Sequence, residues 1–299
     1  MTFVTCIYNY GPGTVIGGRG YDLSFYLPTL INISKLGFPL VLFTLPQLVN
    51  DTKDSLKEYF TSGIEVVGYE LESFRHFEKF IKWKQEILDL KTYYNARNEI
   101  LCYTKTLWLK EAADKNYFND SVFSWIDAGL THHGIFPECK GGVELMTKPV
   151  NSFYYPHNES NIFTPILGEK MFKKMNTEKM FFCATQWQGD KKRFEDFLIR
   201  NFNKPTVNDG LSKHLVAGIF GGKIETINKF YNLYNAFIDK IIEDKIYCLE
   251  EEIFSSMNVL TPELFECEYF SVWHFYSPGE RTSYLEGEGD SFYKIFERI

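Results

Sequence analysis

Apolar and polar positions alternate in blocks along the first 130 residues, and the period of the pattern changes from block to block. Thr2–Tyr8 (TFVTCIY) is a β-rich apolar run that stops at the turn residues Asn9–Gly13. Leu23–Leu36 has the composition of a helix, with Pro28 acceptable only in a first turn because it lacks an N–H and crowds the preceding turn. Pro39–Leu45 (PLVLFTL) is apolar without interruption, the mark of a strand covered on both faces. Asp51–Phe60 reads as a helix opened by an aspartate cap, Gly63–Tyr69 (GIEVVGY) as a third strand, and Leu71–Leu90 as a polar-faced helical stretch. Asn95–Lys115 follows as a strong helix and Ser121–Ile126 (SVFSWI) as a further buried strand. Strands separated by helices long enough for crossovers predict a parallel, Rossmann-like α/β sheet layered by helices.

The second half is less regular. A strand is expected over Met180–Thr185, a Gly-rich piece over Ala217–Gly222, a strand-like run over Ile246–Leu249, and a helix over Glu225–Glu243. That helix carries Ile227, Phe230, Tyr234, Phe237, Ile238 and Ile241 on one stripe, so it packs on a core. No linker of Pro, Ser or Gly separates the halves, and one domain over residues 1–299 with an elaborated C-terminal half is expected.

Composition narrows the class. With 44% hydrophobic and 24% charged residues the chain can bury a core, which excludes global disorder. A formal charge of −7 argues against a broad polyanion-binding surface, so nucleic acid is not a favoured partner. Six scattered cysteines without a Cys-x-x-Cys pair fit neither a zinc site nor a dense disulfide framework, and several sit in apolar runs that suit buried free thiols. The most apolar run, Gly37–Val49, is broken by Pro39 and Pro46 and is too short to cross a bilayer; a cytoplasmic protein is expected. The 28 Phe, 19 Tyr and 5 Trp have two readings, the codon usage of an AT-rich genome or a surface that stacks sugars or bases.

Candidate chemistry gathers at the ends of the predicted strands, where α/β sheets bind ligands. The glycines Gly11, Gly13, Gly17, Gly18 and Gly20 follow the first strand but miss the dinucleotide spacing, because Ile16 stands at the third glycine position. Arg19 in that loop suits either a diphosphate or solvent. Ser124-Trp-Ile-Asp127-Ala-Gly129 places a carboxylate at the rim of the sheet beside small residues, as a metal or ligand site requires and as an ordinary turn also does. Lys105 falls inside the apolar stripe of Leu101, Thr104, Trp108 and Ala112, where a lysine either snorkels or meets an anion. Glu250, Glu251 and Glu252 open a helix, as caps or as functional acids. His274, alone in the apolar run Ser271–Phe275, is a core histidine or a metal ligand.

In their order along the chain, Phe3-Val-Thr5, the Lys105 helix, Trp125-Ile-Asp127-Ala-Gly129, Ala217-Gly-Ile-Phe-Gly-Gly222 and Glu250-Glu251-Glu252-Ile253 resemble the bacterial HtrL/YibB (WlaTC) family, whose members look like GT-A type glycosyltransferases. The resemblance implies a GT-A-like fold, with residues 1–130 as nucleotide-binding half and 131–299 as acceptor-binding half. It also implies sugar transfer from a nucleotide-sugar donor, a UDP-sugar first among them, to a hydroxyl. The acceptor would be a glycan, lipopolysaccharide, capsule or modified DNA base, and Mn2+ or Mg2+ would assist. Thr5, Tyr8, Arg19, Lys105, Trp125, Asp127, Gly218, Gly221 and Gly222 would then bind the donor. Asp127 and His274 would hold the metal, and Glu250, Glu251 and Asp127 would be catalytic. Two positions depart from the family pattern: Trp125 replaces the first acid of the metal motif, and Glu250 replaces an aspartate. Two other classes suit the same segments. One is a non-catalytic sugar-binding or assembly protein on a degenerate transferase fold; the other is a nucleotidyltransferase.

Overall fold

A computed structural model of the chain describes residues 1–8, 23–87, 96–129, 163–186, 191–203, 213–246 and 250–269. Seven strands form one sheet: β1 (Thr2–Cys6), β2 (Leu40–Thr44), β3 (Ile64–Gly68), β4 (Val122–Ile126), β5 (Met180–Gln186), β6 (Lys213–Lys223) and β7 (Phe265–Tyr269). Their spatial order is β3-β2-β1-β4-β6-β5-β7. β1, β2, β3 and β4 pair in parallel, β5 pairs with β7 in parallel, and β6 runs antiparallel between β4 and β5. The expected mainly parallel α/β sheet layered by helices is what forms, with strands from both halves of the chain in it.

The helices are α1 (Leu23–Ser34), α2 (Val49–Leu56), α3 (Phe77–Ile87), α4 (Ala96–Lys115), α5 (Pro165–Met175), α6 (Lys191–Phe202), α7 (Ile224–Glu243) and α8 (Glu250–Leu260). Strand alternation divides the core into two layers. Val4, Phe123, Trp125, Phe182 and Phe220 face α4, α7 and α8, while Phe3, Leu42, Val122, Ile126 and Phe181 face α1 and α5. On the first face the aromatic rings form a ladder. Tyr8 and Phe43 stack on Trp108 at 5.3 and 5.7 Å, Trp108 on Trp125 at 6.1 Å, Trp125 on Phe220 at 6.4 Å, and Phe220 on Phe182 at 5.1 Å. These rings are buried, so this part of the aromatic content builds core.

Several elements differ from expectation. Pro28 lies inside α1, beyond its first turn. The buried Leu30 and Ile33 on the same helix stabilise it by packing, which offsets a proline penalty of about 3 kcal/mol. The stretch from Leu71 opens as a short 3-10 turn over Leu71–Ser73, and α3 starts only at Phe77, because Phe74 is extended. The last residues of the Leu71–Leu90 and Ile246–Leu249 expectations lie outside the described residues. The Gly-rich Ala217–Gly222 is part of the inner strand β6. There Gly221 is required by close approach: a Cβ would meet the Phe123 carbonyl oxygen at 2.3 Å and Ser124 Cα at 2.7 Å. Gly221→Ala is therefore expected to push β4 and β6 apart and lower stability by about 3 kcal/mol, measured by urea unfolding. At Gly222 the nearest contact would be 3.2 Å, and the same substitution should cost distinctly less.

Candidate active site

The carboxyl edge of β4 sets the position of the site. Asp127 follows the last residue of β4, and its backbone N–H donates to the Gly218 carbonyl at 2.9 Å. That bond extends the antiparallel β4–β6 ladder by one residue pair beyond Ile126 and Ile219. On its other side β6 is irregular. β6 pairs with β5 through Phe220 and Gly221, then resumes at Val216, so Ala217, Gly218 and Ile219 fall between the two paired stretches. An interruption of this kind releases backbone groups from the ladder and re-aims them. α8 takes up the released Ala217 N–H, which donates to Glu251 Oε1 at 3.0 Å, and also the N–H of Leu215 in the resumed pairing, which donates to Ser255 Oγ at 2.9 Å. The Ser255 hydroxyl in turn donates to the Glu251 carbonyl at 2.7 Å. Glu251 and Ser255, one helical turn apart, thus moor α8 to the edge of the sheet.

Into this corner α4 sends Lys105, which is 9% exposed. Its ammonium lies 3.0 Å from Asp127 Oδ1 and 3.2 Å from Asp127 Oδ2, 3.2 Å from Glu250 Oε1, and donates to the Ala217 carbonyl at 3.3 Å. The Trp125 indole N–H donates to Asp127 Oδ1 at 2.7 Å, and the Lys105 ammonium stands 5.8 Å from the Trp125 ring centroid. Helical spacing explains why the lysine is inside: it lies on the face that also buries Trp108, Leu109 and Ala112. Glu250 arrives as the first residue of α8, whose N-terminal dipole favours acids.

Burial and charge act in opposite directions here. Burial alone would drag the Lys105 ammonium down, but Asp127 and then Glu250 outweigh it and hold the group well above the ordinary lysine range. Burial pushes the Glu250 carboxyl up; Lys105 pulls it back, while Glu251 and Asp127 push it further up, and the net direction is upward. The thiols of Cys6 and Cys102, which feel the same charges, are pushed up chiefly by burial and so stay protonated.

Of the residues expected at a site, Lys105, Trp125, Asp127, Gly218, Glu250 and Glu251 come together, Glu251 through backbone that it holds in place. Gly221 and Gly222 pair with Ser124 and Phe123, further down the sheet from Asp127. Thr5 shares the opposite face with Phe3 and Ile7, and its buried hydroxyl has no partner among the described residues. Tyr8 is buried, stacked on Trp108, and its hydroxyl donates to the Tyr69 carbonyl at 2.9 Å. Arg19 and His274 lie outside the described residues. Ser255 and the Ala217 carbonyl were missed. The sequence signal for Ser255 was its i+4 spacing from Glu251; nothing in the sequence marked the interrupted pairing of β6.

A divalent cation needs several hard oxygen or imidazole ligands free to point at one spot. Here both oxygens of Asp127 contact Lys105, one of them also accepts from Trp125, and Glu250 contacts the same ammonium. Among the described residues no group of three or more His, Cys, Asp or Glu is placed to hold a metal ion. The described residues therefore do not fit a Mn2+ or Mg2+ ion as they stand. No helix among them is long and apolar enough to cross a membrane.

No family model matches the chain, and no curated protein matches it. Among solved structures, it is similar to mouse xyloside xylosyltransferase 1 in its apo form, at 10% identity over 90% of this chain and 85% of that one, with a TM-score of 0.42. It is similar to core-mannan synthase A from Aspergillus fumigatus, solved with Mn and GDP, at 9% identity over 90% of this chain and 72% of that one, TM-score 0.47. A third is the inositol-1-phosphate CTP transferase from T. maritima, at 12% identity over 99% and 95%, TM-score 0.41. These likenesses are too remote to assign chemistry, which has to be read from the geometry of Lys105, Asp127 and Glu250.

Proposed function

We propose that the chain is a nucleotide-sugar-dependent glycosyltransferase of the GT-A type, related to the HtrL/YibB family and acting in the cytoplasm on a hydroxyl acceptor. The observation that carries this reading is the Lys105–Asp127–Glu250 cluster at the carboxyl edge of a mainly parallel sheet, with Lys105 and Glu250 buried and Asp127 half-buried at its mouth. An ammonium packed between two carboxylates, away from bulk water, is a preorganised set of donors and acceptors suited to a polyhydroxylated ligand. Glu251 adds a third acid beside them, so the carboxylates outnumber the ammonium. That excess of negative charge disfavours a diphosphate against the cluster itself and favours the sugar or acceptor hydroxyl there, which leaves the diphosphate to other groups such as Arg19.

Each member of the cluster then has its own role. Lys105, whose three N–H groups face Asp127, Glu250 and the Ala217 carbonyl, holds the two carboxylates together and supplies the positive charge of the site. Asp127 orients Lys105 and accepts from a hydroxyl, and Trp125 fixes the Asp127 carboxylate. Glu250, its carboxyl raised by burial, is the group able to take a proton from an acceptor hydroxyl. Glu251 positions the β6 backbone.

Donor binding is tested by thermal unfolding against a panel of UDP-, GDP-, CMP- and TDP-sugars, with and without Mn2+. One nucleotide class should stabilise the protein, by about 2.7 kcal/mol at a donor concentration a hundred times the dissociation constant. A panel in which no donor raises the melting temperature would overturn the proposal in favour of a protein without a nucleotide-sugar site.

A further inference from the structure

We infer that Lys105 is the built-in cation of this site: its ammonium fills the place between Asp127 and Glu250 that a divalent ion would take, so that lysine and divalent ion exclude one another there. This exclusion stands whether or not the ligand is a nucleotide sugar.

Four contacts place the ammonium. It reaches both oxygens of Asp127, one oxygen of Glu250 and the Ala217 carbonyl, all between 3.0 and 3.3 Å. Two carboxylates and a backbone carbonyl make an all-oxygen set, the type of shell that hard divalent ions take. The lysine occupies it because its stem is packed in the apolar face of α4 and cannot swing into solvent without exposing that face. Trp125 closes the arrangement. A tryptophan offers a donor and no acceptor, so it cannot serve as a ligand, and its N–H occupies the Asp127 oxygen that a second acid would have left free. A divalent ion entering the cluster would meet a fixed positive charge where it must sit, and Asp127 would have to give up two partners to receive it.

The exclusion predicts a gain of function on removing the lysine. Lys105→Ala deletes the ammonium, leaves the three oxygen-bearing groups in place and opens room for an ion. The test is Mn2+ binding, followed by the electron paramagnetic resonance signal of free Mn2+ and by calorimetric titration. The native protein should show no Mn2+ site that depends on Asp127. Lys105→Ala should gain about one Mn2+ per chain at the Asp127 and Glu250 carboxylates, and that site should vanish in the Lys105→Ala/Asp127→Asn double variant. Lys105→Arg, which keeps the charge, should gain none. Circular dichroism identifies any variant that fails to fold, and in that case Lys105→Gln, longer and uncharged, replaces alanine. Two results would overturn the inference: a native Mn2+ site abolished by Asp127→Asn, or folded Lys105→Ala and Lys105→Gln proteins that bind no more Mn2+ than the native chain. Because the readout is metal binding, failure of the glycosyltransferase reading would appear separately, as silence in the donor panel.

Discussion

Lys105→Met should lower the stability of the folded chain by about 3 kcal/mol at neutral pH, measured by urea unfolding. The methionine keeps the length and the apolar stem, so packing within the buried face of α4 changes little. What is lost is the ammonium in contact with both Asp127 and Glu250, leaving Glu250, 6% exposed, as a buried carboxylate beside Asp127 and Glu251. Removing one partner of a buried ion pair is costly because the other charge stays desolvated. The deficit should depend on pH in a defined direction. Glu250 already has its folded-state titration raised above the unfolded value, so its ionised form opposes folding at neutral pH. That cost shrinks as pH falls through the folded-state value, and without Lys105 the upward shift grows. The difference between variant and native protein should therefore narrow between neutral pH and mild acid. Lys105 itself adds no pH dependence in that window. Its folded-state titration is raised above a range that already lies far above neutral, so its contribution is complete there and would be lost only in strong alkali. A stability difference that stays constant or widens on acidification would contradict this view of the cluster.

Asp127→Asn should act mainly on turnover. Asparagine keeps the shape and can still accept from the Trp125 indole, and Lys105 keeps Glu250 and the Ala217 carbonyl as partners. Asp127 is also the most accessible member, with its side chain 30% exposed, so the folded state should lose no more than about 1 kcal/mol. Release of the nucleotide from the donor should fall on the order of 100-fold or more, since the variant removes a charge held in place by Lys105 and Trp125. A folded Asp127→Asn protein with native turnover would remove Asp127 from the chemistry.

The sequence made the sheet legible for physical reasons. Continuous apolar runs such as Pro39–Leu45 announce strands covered on both faces, and Leu40–Thr44 is that strand, buried throughout. The stripe from Ile227 to Ile241 identified α7 and its buried face residue by residue. Lys105, Asp127 and Glu250 were legible as candidates because each is a charge where the pattern wanted apolar or capping residues. Their meeting was not legible. It depends on β6 running antiparallel between β4 and β5, and a run of Val, Ala, Gly, Ile and Phe looks the same in either direction. The same run explains why Gly221 and Gly222 were expected at the ligand: small residues suit a strand that lies close to its neighbour as well as they suit a binding loop. The division of labour between Glu250 and Glu251 had no sequence signal, because it is set by the freed Ala217 N–H.

If the Lys105–Asp127–Glu250 cluster serves sugar transfer from a nucleotide donor, the leaving group must show it. The decisive measurement follows that group when the purified protein is incubated with each nucleotide sugar, and with nucleoside triphosphates and sugar phosphates as the contrasting substrates. Slow release of a nucleoside diphosphate, or of CMP from a CMP-sugar, is expected from one donor class and should be strongly reduced by Asp127→Asn. Pyrophosphate released from a triphosphate, with no nucleotide freed from any donor sugar, would refute sugar transfer and make the chain a nucleotidyltransferase.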